Sequence, residues 1–520
     1  MAPGSGIKAP VSRTRNGCLT CRKGKVKCDE ERPSCKRCRR LQLDCAWSEV
    51  ASRCLTVSRR PSEIETITSS GPVIPPFVVE FPNADRASLP YIKHFINFCS
   101  RFLVYADDGD ANPFQQELVP LASSSPALLH SMIALAAGHM ARTDPRHGIF
   151  AVKHYTVALR ELNRVLSEPG RLASNSTLGA CLMLCVYEIS HSGRSLWLKH
   201  LRGARDLIIH RGGPRATDFL SRFFSLLDIS GSLLSGRGPL IQGNYWLEGG
   251  QSGNGTLNQV GLQWPYYDDG AIMVGAFHEL MVYMACLSSL SADSMAESGR
   301  RNPDLMYARA MSIREGLQAW WESQPAHLRD QSNDWRSLPR ERPMGKAEVL
   351  EQEAFSSIRS CTSACIIYLH HIINPIDDIP RGPEVSSAIE SILAIVRKTP
   401  EGRGLEMGLL WGLFMAGVVI SDDAEAEALI RRKLRSDASI SIYHADRGLE
   451  LLEVLWERQR RLQAKLDWRE IQKELGFQVY VFALAKSFGL SLTELLQFHP
   501  CLRQARSRRL VAANMDLGQR

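Results

Sequence analysis

The sequence is poor in several features that would have narrowed its function at once. Its opening, MAPGSGIKAPVSR, carries no apolar stretch of the kind a secretory signal needs. The most apolar uncharged run, Met407 to Ser421, is too short to cross a bilayer as a helix and reads as a core helix. No membrane role is expected. Alternating runs of β-branched residues are missing, so there is little from which to build a sheet. Catalytic signatures are missing too. No phosphate-cradling G-x-x-x-x-G-K occurs, and no G-x-G-x-x-G follows a strand. His278-Glu279 begins an H-E-x-x-H pattern that Val282 breaks, and Ser252 in GGQSGNG stands outside a G-x-S-x-G elbow. Eight of the 14 cysteines are scattered, most of them among apolar residues, which argues against a disulfide framework and for reduced, buried thiols. Sustained a/d heptads are absent, which removes a coiled-coil zipper.

The other six cysteines are ordered. Cys18, Cys21 and Cys28 are spaced C-x2-C-x6-C, and Cys35, Cys38 and Cys45 repeat that spacing. Structural zinc takes four ligands in a tetrahedron, and thiolate is the softest ligand a chain offers. Two tetrahedra need eight ligand positions. Six thiolates fill them only if two sulfurs are shared, and the repeat points to the first cysteine of each half, Cys18 and Cys35. Each C-x2-C should start a short helix, with Pro33 turning the chain between the halves. So small a module has almost no apolar core, so metal binding would supply its folding free energy. Charge follows the same boundary. Residues 1–45 hold 12 Lys/Arg against four acids, a balance of +8, which is the formal net charge of all 520 residues. A basic face confined to a metal-stapled module is the footprint of a phosphate-backbone binder.

The doubled spacing, with the basic stretch Arg22-Lys23-Gly24-Lys25-Val26-Lys27 followed by Asp29, resembles the fungal zinc binuclear cluster transcription factors. The resemblance implies two zinc ions per chain, double-stranded DNA as partner, a nuclear location and regulation of RNA polymerase II transcription. It also implies that the first cluster helix enters the major groove. Lys25 would then reach guanine edges, and the carbonyls of Gly24 and Lys25 would accept from cytosine, in a CGG-like triplet. Lysine suits guanine because O6 and N7 are both acceptors. Arg22, Lys23, Lys27, Lys36, Arg37, Arg39 and Arg40 would contact phosphates, which set position and not sequence.

Beyond the cluster, residues 46–88 read as a linker with Arg53, Arg59, Arg60 and five prolines, and residues 1–17 as a disordered basic arm. From residue 89 to 520 the chain reads helical. Apolar residues recur at helical spacing over Tyr91–Tyr105, Pro126–Met140, His147–Leu166, Thr177–Ile189, Leu196–His210, Met273–Leu290, Glu348–Ile373, Gly404–Ile420, Ala445–Leu462 and Trp468–Ala485. Asp422–Glu427 reads as a helix start, with acids favoured there. Two loops should interrupt the helices: 323–346, and a glycine-rich 235–270 expected to be disordered. The fold class is therefore a small zinc-stapled module of two short helices followed by a large all-α domain.

The helical part resembles the second fungal-specific transcription factor domain. Three stretches carry the likeness: Asn112-Pro113-Phe114 with LVPLASSSPALLHSMIALAAGHMA, CLMLCVYEIS with WLKHLRGARDLI, and LLWGLFMAGVVISDDAEAEALI. The resemblance implies a regulatory and interaction domain without catalytic residues; transcription machinery or coregulators are its expected partners, and a homodimer formed through it is one expected route to high affinity for DNA. The alternative is a ligand-sensing or enzymatic helical protein that carries the zinc module for localisation. Cys361 and Cys365, near His370-His371, form a metal-like spacing that reads better as core packing.

Overall fold

The computed structural model describes residues 18–23, 26, 28–31, 34–45, 81–82, 84–103, 112–168, 170, 174–191, 196–247, 269–329, 346–376, 380–399, 409–420, 423–437 and 445–476. The chain divides into two compact units, Met1–Phe77 and Val78–Arg520.

The described part of the first unit contains two five-residue helices, α1 (Leu19–Lys23) and α2 (Lys36–Arg40). Its buried cluster consists of cysteines alone, with Cys18, Cys21, Cys28, Cys35 and Cys38 at the centre and Cys45 packed against them. Helices this short have no independent stability in water. Their persistence depends on what holds the sulfurs together.

The second unit is helical, and among its described residues there is no strand. Its first helix, α3 (Leu89–His94), continues through a wider turn over Phe95–Cys99 into Ser100–Phe102. Next come α4 (Pro126–Ala141), α5 (Gly148–Leu166), α6 (Asn175–His191) and α7 (Leu196–His210). Then follow α8 (Phe219–Ser235), α9 (Asp269–Met295), α10 (Pro303–Ser323), α11 (Lys346–Ile373) and α12 (Pro383–Lys398). The series closes with α13 (Leu409–Val419), α14 (Ala424–Asp437), α15 (Ala445–Leu462) and α16 (Trp468–Leu475).

Helix α4 packs on α5 and α6, and α6 on α7. Helix α11 gathers α9, α12 and α13, while α15 covers α13 and α14. Helix α8 joins the two groups, meeting α6 and α7 on one side and α9 on the other. A helix apolar all round belongs inside a core, and one with a single apolar stripe belongs at its edge. Every residue of α13 is buried, whereas α5 buries Ala151, His154, Ala158, Leu162 and Val165, one stripe at helical spacing.

Local signals start and stop these helices. Ser125 Oγ accepts from the Leu128 amide ahead of Pro126, an N-cap followed by proline at the first helical position. Gly236 ends α8 and Gly476 ends α16, both with left-handed backbone. Asn112 Oδ1 accepts from the Phe114 amide at 3.0 Å, which seats Phe114 edge-on against Phe219 and Phe223.

Most of the expected helices are present, and the acidic start near residue 422 opens α14. The apolar pattern missed α8, α10 and α12. Helix α8 is buried on nearly all sides although it carries five serines. The hydroxyls of Ser225, Ser230 and Ser232 donate to carbonyls of their own helix at 2.5–2.8 Å, so burial costs them no bond. Helix α10 buries only Ala310, Ile313, Leu317 and Trp320 in a polar sequence. One expectation needs correction. Of the glycine-rich 235–270, residues 236–247 are packed, with Ile241, Tyr245, Trp246 and Leu247 buried. The cause is the buried Asp228 carboxylate, which accepts from the Leu240 amide at 2.7 Å and the Ile241 amide at 3.2 Å. Trp246 Nε1 adds a bond to the His278 carbonyl at 2.9 Å. Residues 248–268, the arm 1–17 and the linker residues 46–80 lie outside the described residues.

Candidate metal centre

The repeat in the sequence becomes a repeat in space. Shifting by the 17 residues that separate Cys18 from Cys35 carries three contacts of the first half onto three of the second. The Cys21 amide donates to Cys18 Sγ and the Cys38 amide to Cys35 Sγ, both at 3.4 Å. The Cys18 amide donates to Cys28 Sγ at 3.4 Å, and the Cys35 amide to Cys45 Sγ at 3.3 Å. The Val26 amide reaches the Cys21 carbonyl at 3.1 Å, and the Leu43 amide the Cys38 carbonyl at 2.9 Å. Each half thus wraps its own helix start around its own sulfurs.

The halves then interlock. Cys18 Sγ lies 3.9 Å from Cys35 Sγ and 3.8 Å from Cys38 Sγ, while Cys21 Sγ lies 3.7 Å from Cys35 Sγ. Two groups of four sulfurs result, Cys18/Cys21/Cys28/Cys35 and Cys18/Cys35/Cys38/Cys45, with the sulfurs of each within 4.8 Å of one another. They share Cys18 and Cys35, the pair that ligand counting selects. Among the described residues these are the only groups of three or more His, Cys, Asp or Glu side chains so arranged. Thr20 Oγ1 donating to the Asp44 carbonyl at 2.5 Å and Asp29 accepting from the Lys36 amide at 3.1 Å pin the halves together.

The chemistry of this donor set calls for a cation. All six cysteines are free thiols. Burial pushes the Cys18 thiol far above its usual range. At Cys35 the Cys38 amide lowers the pKa, but burial and neighbouring thiols push it up to about 12. Six thiolates this close repel one another, and a soft divalent ion held by sulfur removes that cost. Zinc fits, because two tetrahedra sharing two sulfurs use the six donors completely.

Around the cluster, Lys23, Lys36, Arg39 and Arg40 are exposed. Arg39 Nη2 also donates to the Ser34 carbonyl at 2.9 Å, and Glu31 pairs with Lys36 at 3.8 Å and Arg39 at 3.5 Å. Arg37 differs from its neighbours. It is half-buried, and its Nη1 donates to Cys21 Sγ at 3.9 Å, a contact the sequence does not announce. Gly24, Lys25 and Lys27 lie outside the described residues, as does the side chain of Arg22.

In the helical unit the residues singled out from the sequence serve packing. Glu279 is buried and accepts from Trp320 Nε1. Cys361 and Cys365 are fully buried in the core. A cleft of about 470 Å³ opens between α10, α11 and the start of α12, lined by Tyr307, Trp321, Ile366, Leu369 and His370 among others. Its Arg314 and Glu384 pair with each other at 2.8 Å. No described helix is long and apolar enough to cross a membrane.

Comparison with known proteins agrees with this geometry. The Fungal Zn(2)-Cys(6) binuclear cluster domain matches residues 16–54, and the Fungal specific transcription factor domain matches residues 90–482, about three quarters of the chain. The chain is similar to the aspercryptin biosynthesis cluster-specific transcription regulator atnN of Emericella nidulans, 26% identical over 259 residues, or 45% of this chain and 42% of that one. It is similar to the Zn(2)-C6 fungal-type transcription factor afumD of Aspergillus fumigatus, 30% identical over 138 residues, or 26% and 34% of the two chains. In both cases the matched region spans less than half of the relative. No solved structure matches.

Proposed function

Because the chain belongs to the fungal specific transcription factor domain family, we propose that it is a zinc-dependent, sequence-specific DNA-binding regulator of RNA polymerase II transcription that acts in the nucleus. The observation that carries this reading is the pair of sulfur tetrads sharing Cys18 and Cys35 inside a strongly basic module. In this reading Cys18, Cys21, Cys28, Cys35, Cys38 and Cys45 hold two zinc ions, whose binding supplies the folding energy that two five-residue helices lack.

The module of residues 18–45 then presents the C-terminal end of α1 to the major groove. Lys25 donates to guanine O6 and N7 of a CGG-like triplet, and the carbonyls of Gly24 and Lys25 accept from cytosine. Arg22, Lys23, Lys27, Lys36, Arg39 and Arg40 contact phosphates and fix the register. Residues 46–88 link the module to a regulatory body, 89–520, that meets coregulators and carries any homodimer contact. Linker and body together, residues 46–520, hold 51 basic and 51 acidic residues, so they have little attraction for a polyanion.

Two measurements on the full chain test the reading. Metal analysis should return two zinc ions per chain, and binding to a CGG-bearing duplex should exceed binding to a scrambled one. One zinc or none refutes the shared-sulfur cluster, and equal binding refutes the sequence reading. A second reading, ligand sensing by the body, is favoured by the cleft of about 470 Å³, a size suited to a small organic molecule. A thermal shift of the body with an added metabolite, absent when Trp321 is replaced by Ala, would favour it.

A further inference from the structure

Building on the zinc reading, we infer that Arg37 serves the metal cluster and not the DNA backbone: it is a positioning residue whose guanidinium caps Cys21 Sγ. The phosphate role expected for it from the sequence is thereby replaced. Arg37 stands on α2 in the second half, while Cys21 stands on α1 in the first, so the contact crosses between halves at 3.9 Å. The three other cations of α2 point differently. Lys36, Arg39 and Arg40 are exposed, and the first two share Glu31, whereas Arg37 is half-buried against sulfur.

The repeat supplies an internal control. The counterpart of Arg37 in the first half is Thr20, and its hydroxyl donates to the Asp44 carbonyl at 2.5 Å. One half therefore closes with a neutral hydrogen bond and the other with a permanent positive charge. Six thiolates with two zinc ions sum to a net charge of about −2. A guanidinium against a ligating sulfur lowers the energy of that charge and hinders displacement of the metal. Partners in the outer shell of a metal site commonly contribute about 10–100-fold to metal affinity. A phosphate contact would draw Arg37 away from Cys21, so the two roles compete for one side chain.

Arg37→Met and Arg37→Lys, made in the full chain, separate the roles. The first readout is the rate of zinc transfer to a chromophoric chelator. The second is the salt dependence of binding to a mixed-sequence duplex with zinc present. Arg37→Met should release zinc about tenfold faster, with Arg37→Lys in between. Both should keep the wild-type salt slope. Arg39→Met, the control, should release zinc normally and lower the slope by about one unit. Unchanged release from Arg37→Met overturns the assignment, and so does a slope reduced by about one unit. If Arg37→Met does not fold, Arg37→Lys decides by the same two criteria. A wild-type chain that carries no zinc overturns the zinc reading and this inference together. A wild-type chain with two zinc ions and an indifferent Arg37 overturns this inference alone.

Discussion

The two units bury the same side chain for opposite reasons. In the first unit the buried cluster is cysteine throughout, with sulfurs 3.7–4.0 Å apart. In the second, Cys361 and Cys365 are equally buried but sit in an extensive core of Leu, Ile, Phe and Trp. There, burial, helped by the charge of Asp206, pushes Cys181 up to about 12, and burial pushes Cys286 to about 11 against the charge of Arg309, so each stays a neutral thiol that packs like a small apolar group. In the first unit the shifts split: Cys18 and Cys35 are raised as well, but the Cys35 amide at Cys45 Sγ lowers that thiol's pKa. Burial of sulfur therefore says little by itself. What distinguishes the two units is whether other sulfurs and backbone amides converge on it.

Four experiments would break or sharpen that contrast. The largest effect is expected from Cys35→Ala, which removes a sulfur common to both tetrads. Metal analysis should find both ions lost and, with them, on the order of 10 kcal/mol of folding energy in the module. The body should keep its thermal unfolding transition. Cys45→Ala should disturb one tetrad first, and equal loss from both variants would argue against shared sulfurs. Next in size, Phe414→Ala, in the fully buried α13, should destabilise the body by about 3–5 kcal/mol in denaturant titration while leaving the zinc content at wild type.

Third, Lys25→Ala should cost roughly 1–3 kcal/mol on a CGG duplex and flatten sequence preference. If cognate and random DNA weaken alike, Lys25 is not the reading residue. The smallest effect is electrostatic. His154 is buried with its Nδ1 2.8 Å from His130 Nδ1, and burial, then the charge of His130, lowers its pKa from 6.5 to about 4. Between those values the unfolded chain binds the proton and the folded one does not. Stability from this group is therefore full above pH 6.5 and falls with pH through that window. Asp228 and Glu279, both raised to about 7 by burial, act with opposite sign, so the comparison must be between wild type and His154→Gln. The difference should be on the order of 1–3 kcal/mol across the window, and identical pH profiles would remove the effect.

The metal centre was legible in the sequence because its information lies in covalent spacing. A doubled C-x2-C-x6-C and a ligand count are enough to single out Cys18 and Cys35. Arg37 was not legible, because four cations stand between Cys35 and Leu41 and only the fold turns one of them onto sulfur. Amphipathic helices such as α5 were readable from their stripe. Helix α8 was hidden by serines that satisfy themselves, and the packing of residues 236–247 was hidden in Asp228, a single carboxylate 12 residues from the nearer amide it holds.

Helix α8 also bears on the order of synthesis. Its last carbonyls are bonded from far downstream: Leu233 by Tyr368 Oη, 135 residues on, and Leu234 by Gln472 Nε2, 238 residues on. Arg469, beside Gln472 on the same short helix, bonds to Ser291 Oγ at 3.0 Å. At about 5–20 residues per second, α8 must wait roughly 10–50 seconds in the nascent chain before its last partner is made. The cysteine module waits for nothing beyond residue 45. A ribosome that stalls before Gln472 would thus leave a finished cysteine module and an unfinished body, whose exposed apolar helices mark it for chaperones or proteolysis.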